Sequence, residues 1–321
     1  MKDHPAIEIS PPDISAYKSG NTGVDYVHAL DSGRPGPTVM VQALTHGNEL
    51  CGAIALDLLF SQKISPSKGK LILAFANVAA YERFDFEDPD RSRCVDEDYN
   101  RVWADEALFG ARDSLELRRA RALRPFVDSA DWLLDLHSMR EPCRPIMVCG
   151  AAGRGGEKSA AFARRIGVPG DLLVDTGHPA GPRMIERGGF GDPASPRTAV
   201  LIECGQHWEK SSADVAIDTL FRFLGATGAA NASICKSHAR LTPPAVQKLI
   251  RVTEAVVVKT MDFSFPYLFK GLEVIPKAGT VVATDGETTW RTPYDDCVMV
   301  MPSLAHKKPG NTVLRLGRYE G

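Results

Sequence analysis

Short apolar runs alternate with longer amphipathic stretches along the first two thirds of the chain. Residues 38–44 (TVMVQAL) follow Pro35, Gly36 and Pro37 and predict a buried strand. A helix is predicted over 52–60, and a second strand over 70–76 (KLILAFA). The pattern continues with a helix over 115–128, a strand over 132–136 (WLLDL), a helix over 159–166, a strand over 199–202 (AVLI) and a helix over 214–224. Such alternation predicts an α/β layer fold built on a mostly parallel or mixed sheet.

Past about residue 230 the pattern changes. Residues 251–260 are rich in Val, 274–283 are broken by Pro276 and Gly279, and 298–301 (VMVM) run into Pro302. Short strands between turn residues predict a small C-terminal all-β domain. The expected boundary falls between Gly225 and Pro243, dividing the chain into a catalytic part, 1–235, and a β part, 236–321.

Composition narrows the function. A chain of 321 residues can bury a sizeable core without disulfide staples. A net charge of -2 and a pI near 6.5 argue against a nucleic-acid partner. There is no apolar run long enough to span a membrane, and residues 1–20 lack the apolar core of a signal peptide. The 7 cysteines form no C-x-x-C pair, and several, such as Cys204, sit in apolar runs. They read as buried thiols of a reducing compartment, the cytoplasm.

Candidate chemistry sits at strand ends, where open α/β sheets collect their ligands. His46 and Glu49 lie three apart, just beyond the run ending at Leu44. His137 lies just beyond the apolar run of 132–136. Two histidines and a carboxylate make the three-ligand set of a catalytic zinc site with one open position. Taken singly, each histidine is more often a hydrogen-bonded core or rim residue. Asp135 shares a strand face with His137 and can orient its ring. Glu203 closes the run 199–202, where an idle carboxylate is costly to bury. At a zinc site it would take a proton from water and pass it on; elsewhere it would be a capping or salt-bridged glutamate. The loop from Arg93 to Arg101 offers two guanidinium forks and the Asn100 amide, suited to a carboxylate, although charged loops are mostly solvated surface.

In this order, His46-x-x-Glu49, Arg93 with Asp96-x-Asp98-x-Asn100–Arg101, Asp135–Leu136–His137–Ser138 and Glu203-x-Gly205 resemble the succinylglutamate desuccinylase/aspartoacylase family of the zinc carboxypeptidase clan. The segment from Asp285 to Pro302 is similar to the β appendage of its bacterial members. The resemblance implies a carboxypeptidase-like α/β/α sandwich with a mixed sheet plus the small β domain, and one Zn2+ per chain on His46, Glu49 and His137. It implies Glu203 as general base and acid, and Arg93 polarising the scissile carbonyl. It further implies Asn100 and Arg101 on the substrate carboxylate, and a homodimer. One departure is visible: the family continues after its glutamate with Gly–Pro, whereas here Gln206, His207 and Trp208 follow Gly205. The arginine and tyrosine that read the rest of the substrate have no motif here; Arg183, Arg187, Arg197 and Tyr294 are candidates.

The resulting expectation is a zinc-dependent deacylase of N-acyl amino acids or similar small carboxylate-bearing amides. Two rivals stand beside it. One is a metallocarboxypeptidase, which would need an open groove instead of a closed pocket. The other is a non-catalytic binding protein, which a missing ligand or missing glutamate would betray.

Overall fold

A computed structural model describes residues 4–305 and 307–320. In chain order its elements begin β1 (Val27–Asp31), β2 (Thr38–Ala43), α1 (Leu50–Ser61), β3 (Lys70–Phe75), α2 (Val78–Tyr81), α3 (Asp105–Leu108), α4 (Leu115–Ser129) and β4 (Trp132–Met139). There follow β5 (Ile146–Ala151), α5 (Gly156–Ile166), β6 (Asp171–Asp175), β7 (Thr198–Gln206), α6 (Lys210–Thr227) and α7 (Ala232–Ser237). The chain ends with β8 (Lys248–Val257), β9 (Glu273–Ile275), β10 (Val281–Asp285), β11 (Thr288–Arg291), β12 (Cys297–Val300) and β13 (Thr312–Glu320).

The strands build one mixed sheet in the order β1-β3-β2-β4-β7-β5-β6-β8-β13-β12-β9. Its centre is parallel from β3 through β2 and β4 to β7. Both faces of this centre are covered. Along β2, Val39, Val41 and Ala43 enter the core shared with α1, α5 and α6, whereas Met40 enters the core shared with α4. Burial on both faces is why these strands read as unbroken apolar runs instead of alternating ones.

Every helix and strand expected up to residue 224 is present, with ends shifted by a few residues. The unexpected strands β5 and β6 are short apolar runs, which periodicity alone does not separate from buried helix. The C-terminal part is all strand beyond α7, as its turn residues suggest, but most of it is continuous with the main sheet. β8 pairs in parallel with β6, and β13, β12 and β9 follow antiparallel. Among the described residues only the β10–β11 ribbon forms a separate sheet. The C-terminal strands thereby come within reach of the site.

Candidate active site

Three neighbouring parallel strands, β2, β4 and β7, bring their carboxyl ends together. The chain leaves β2 through Leu44, which holds a left-handed φ of 59°, and turns through His46 to Glu49 at the start of α1. Gly47 is the residue this turn needs. A Cβ there would lie 2.4 Å from Ser92 O and from Tyr81 N, distances no side chain tolerates. Its N–H donates to Arg93 O at 3.2 Å, joining the turn to the loop that carries Arg93.

His46, Glu49 and His137 converge. His46 Nδ1 lies 2.7 Å from Glu49 Oε1, and His137 Nδ1 lies 2.9 Å from Glu49 Oε2. The outer nitrogens have carboxylates of their own: His46 Nε2 is 3.0 Å from Asp98 Oδ1, and His137 Nε2 is 2.8 Å from Asp135 Oδ2. When the outer N–H groups donate to those carboxylates, both inner nitrogens turn lone pairs toward the lone pairs of Glu49. Such a cluster is repulsive unless positive charge sits at its centre. Two imidazoles and one carboxylate, with donor atoms within 4.8 Å of one another, fit zinc and leave one position open. Without an ion, protons do this work. Burial opposes it, but the charges of Asp135 and Glu49 hold the His137 imidazolium pKa well above its usual range. Burial likewise opposes ionisation of Glu49, but His46 and His137 hold its carboxyl well below the usual range.

Asp135 is itself fixed. Its Oδ1 accepts from Thr45 Oγ1 at 2.8 Å, and Thr45 Oγ1 accepts from Gln42 Nε2 at 2.8 Å. This chain of buried bonds locks the His137 ring, as expected of a carboxylate behind a metal-ligating imidazole.

Glu203 borders the same cavity as the three converging residues. One of its oxygens, Oε2, is buried and has no hydrogen-bond partner. Burial pushes its carboxyl up to about 8, helped by the charge of Glu49 and opposed by His137 and Arg93. A carboxyl poised near neutrality can both take and give a proton.

The loop holding Arg93, Asn100 and Arg101 is organised by a residue that sequence reading passed over. The carboxylate of Glu116, buried in the first turn of α4, accepts from the backbone N–H groups of Val95 (2.6 Å), Asp96 (3.0 Å) and Glu97 (3.3 Å). Asp98 then links the loop to the cluster: it accepts from Arg93 at 3.0 Å and from the Asn100 N–H at 2.8 Å while facing His46. Burial opposes charge on Asp98, but Arg101, His46 and Arg93 hold its carboxyl well below the usual range. Asn100 Oδ1 accepts from the Met184 N–H at 3.0 Å. The only hydrogen bond of the Arg101 guanidinium among the described residues goes to the neighbouring carbonyl of Asn100, at 2.6 Å.

His46, Glu49, His137, Glu203, Arg93, Asn100 and Arg101 all border one cavity of about 190 Å³. Of the four unanchored candidates only Arg183 borders it, and Arg183 is occupied by Asp175 (2.7 and 2.8 Å) and Glu186 (2.6 Å). Arg187 is engaged elsewhere with Asp105 and Asp128, and Tyr294 pairs with Thr253. Two further lining residues escaped the sequence reading. His207 meets Ser138 Oγ at 2.8 Å, and burial pushes its pKa down to about 3, with the Arg93 charge reinforcing the shift against Glu49. Arg315 reaches the cavity from β13. Its signal was one charged residue inside Val313–Leu314–Arg315–Leu316, a pattern that does not by itself distinguish a site from a solvated strand face.

Residues 35–222 match the model of the succinylglutamate desuccinylase/aspartoacylase catalytic domain. No curated protein matches the chain. Among solved structures, the succinylglutamate desuccinylase of Vibrio cholerae aligns with a TM-score of 0.64 at 16% identity, covering 91% of this chain and 85% of its own. That of Chromobacterium violaceum gives a TM-score of 0.64 at 16% identity, over 93% and 89%. A product-bound ectoine utilization protein EutE (DoeB) of Ruegeria pomeroyi gives 0.62 at 15%, over 91% and 88%. At such identities the structural likeness establishes the fold alone.

Proposed function

The chain belongs to the succinylglutamate desuccinylase/aspartoacylase family, whose members hydrolyse the amide bond of acyl amino acids, and from that premise we propose that it is a zinc-dependent deacylase of small N-acyl amino acids. The observation that carries this reading is the buried convergence of His46, Glu49 and His137 beside Glu203 in one small cavity.

In this reading His46, Glu49 and His137 hold one Zn2+ per chain. Zinc, when bound, supplies Lewis-acid activation of water and of the scissile carbonyl. Glu203 takes the proton of the attacking water and returns it to the leaving nitrogen. Arg93 holds positive charge toward the developing oxyanion, an effect worth about 3 kcal/mol for one well-placed donor. Asn100 and Arg101 grip the carboxylate of the substrate. Asp135 keeps the His137 imidazole in the tautomer whose inner nitrogen is free to ligate, while the outer nitrogen of His46 faces Asp98 at 3.0 Å and the Arg93 guanidinium at 2.9 Å.

Cavity shape favours a small substrate over a peptide. Gly271 and residues 301–303, from the C-terminal part, stand among the walls and narrow the space that a polypeptide would need. We therefore treat 1–235 as the catalytic part and 236–321 as the part that shapes the pocket. Helices on both sheet faces support the carboxypeptidase-like layering. All seven cysteines are free thiols, which supports a cytoplasmic setting. No helix among the described residues is long and apolar enough to cross a membrane.

The test is hydrolysis of a panel of N-acyl amino acids and of C-terminal dipeptides by zinc-loaded protein and by protein stripped with a chelator. Zinc-dependent release of the amine from acyl amino acids is expected. Cleavage confined to peptides would establish the carboxypeptidase reading instead.

A further inference from the structure

In the turn that follows Glu203, two side chains hold the backbone and one ring does not. Gln206 Oε1 accepts from the Trp208 N–H at 2.8 Å, and Gln206 Nε2 donates to Arg140 O at 3.2 Å. The Trp208 indole donates to Asn48 O at 3.1 Å. The main chain is pinned as well, because the His207 N–H donates to Met139 O at 2.8 Å. This is the segment in which the sequence departs from the family's Gly–Pro. Between these two anchored neighbours the ring of His207 is buried and borders the cavity of Glu203.

That ring is fixed at one end only. Its Nδ1 lies 2.8 Å from Ser138 Oγ, and neither Ser138 Oγ nor His207 Nε2 has another hydrogen-bond partner among the described residues. Ser138 is tied in turn to the candidate ligand cluster, since its N–H donates to Glu49 Oε2 at 3.3 Å. The buried Ser138 hydroxyl has one proton to place, and Nδ1 is the acceptor at hand. With that bond made, Nε2 carries the N–H of the ring and is the nitrogen left for a ligand.

Charge decides what such a group can do. Burial pushes the His207 pKa down to about 3, with Arg93, His46 and Arg140 reinforcing the shift against Glu49. Near neutral pH the ring is therefore uncharged and holds its single proton firmly. Acid–base work falls to Glu203, and His207 is suited to donating a hydrogen bond without bringing a charge. Its place is also defined. Arg93 approaches the cluster at Glu49 Oε1, 3.8 Å away, and His46 Nε2, 2.9 Å away. His207 approaches it through Ser138 at Glu49 Oε2. Guanidinium and imidazole thus flank the same carboxylate from its two oxygens.

We propose that His207 is a catalytic residue, whose Nε2–H donates to the carbonyl oxygen of the scissile amide as charge develops there, opposite Arg93. The inference rests on the deacylase reading above. It gives the oxyanion one charged and one neutral donor. Ser138 is then a positioning residue, which holds the ring in the tautomer that donates.

Kinetics of zinc-loaded wild type, His207→Leu, His207→Gln and Ser138→Ala test it on the N-acyl amino acid that wild type turns over best. His207→Leu should keep its zinc and lose about a hundredfold in kcat with little change in KM, because an oxyanion donor acts chiefly in the transition state. His207→Gln sets an amide N–H near the place of Nε2 and should recover about tenfold of that loss, as one neutral hydrogen bond implies. Ser138→Ala should fall between wild type and His207→Leu. A purely structural role would give Gln no advantage over Leu and would lower Tm and zinc content together with kcat, which overturns the proposal.

A second measurement needs no turnover. In zinc-loaded protein with isotope-labelled histidine, the His207 ring signals are assigned by their loss in His207→Gln. Nitrogen NMR at neutral pH should show a protonated Nε2 and a bare Nδ1. The Nε2–H signal should move when acetohydroxamate, a small carbonyl chelator of zinc, is added. A proton on Nδ1, or an Nε2–H signal that the hydroxamate leaves unmoved, overturns the proposal even in an active enzyme. If wild type turns over no member of the panel, the deacylase reading fails separately, and the tautomer with the hydroxamate shift still decides whether this ring is a donor to a bound carbonyl.

Discussion

His137 and Glu203 are direct register partners on the parallel strands β4 and β7, so their side chains leave the sheet on one face as immediate neighbours. A metal-ligand candidate and an acid–base candidate, far apart in sequence, are thus set side by side by backbone pairing alone. The arrangement owes nothing to loop conformation, and a residue changed at Glu203 should leave the ligand set in place.

This gives the first prediction. Glu203→Gln keeps the side-chain shape and removes its basicity. Zinc content, read by elemental analysis, should stay near one per chain while kcat falls by at least about a hundredfold, the lower range for acid–base catalysis. A variant that keeps most of its kcat would show that another group handles the proton.

A second prediction concerns the support behind His137. Asp135 accepts from His137 Nε2 at 2.8 Å and is held in turn by Thr45. Asp135→Asn can still accept at one oxygen but no longer offers a charge. Metal affinity, measured by competition with a chromophoric chelator, should drop by about 10- to 100-fold, the usual cost of losing such a partner. His137→Ala should lose most of its zinc outright. Undiminished zinc affinity in both variants would remove His137 from the ligand set.

How much of this was legible beforehand follows from how local each signal is. His46, Glu49, His137 and Glu203 each end an apolar run, so a strand-end rule finds them without knowing how the strands pair. The central strands were legible for the same reason, since burial on both faces makes them uniformly apolar. Asp98 was visible as part of a motif, yet its bridging role depends on a contact with His46 across 52 positions of sequence. Glu116 looked like an ordinary first-turn helix acid; only the folded loop shows its carboxylate taking up three backbone N–H groups. Arg315 had only the signal of one charged residue in an apolar run, because its place at the cavity depends on which strand β13 pairs with. The expectation of a separate β part was incomplete for a related reason: turn residues mark where strands stop and carry no information about the sheet they join.

Glu116 supplies the third prediction. Because its carboxylate collects the N–H groups of Val95, Asp96 and Glu97, it sets the path of the loop that delivers Arg93, Asn100 and Arg101. Glu116→Gln retains the shape but turns one acceptor into a donor facing other donors. These N–H groups are only part-buried, so leaving them without an acceptor costs at most about 1–3 kcal/mol. Zinc should remain bound, KM should rise and kcat should fall, because both carboxylate grip and oxyanion charge come from this loop. Kinetics matching wild type would show that the loop holds its shape without Glu116.

The last prediction is one of pH. His178 is a half-buried imidazole whose Nδ1 accepts from the Ala180 N–H at 3.1 Å, a bond only the neutral ring can make. Burial, followed by the charges of Arg101, Arg315 and Arg183, pushes its pKa from the ordinary 6.5 down to about 3. Between those two values the unfolded chain binds a proton at this ring and the folded protein does not. Stability must then rise with pH across that window. The contribution of His178 is complete above about 6.5 and is lost progressively as the pH falls toward 3. Replacing it by His178→Asn removes the titration, so the fall in Tm between pH 7 and pH 4 should be smaller in the variant than in wild type. Both proteins should be compared free of metal, since zinc release at low pH would add a slope of its own. If the two Tm profiles run parallel through that range, the ring titrates normally and the arginine field around it is weaker than the geometry implies.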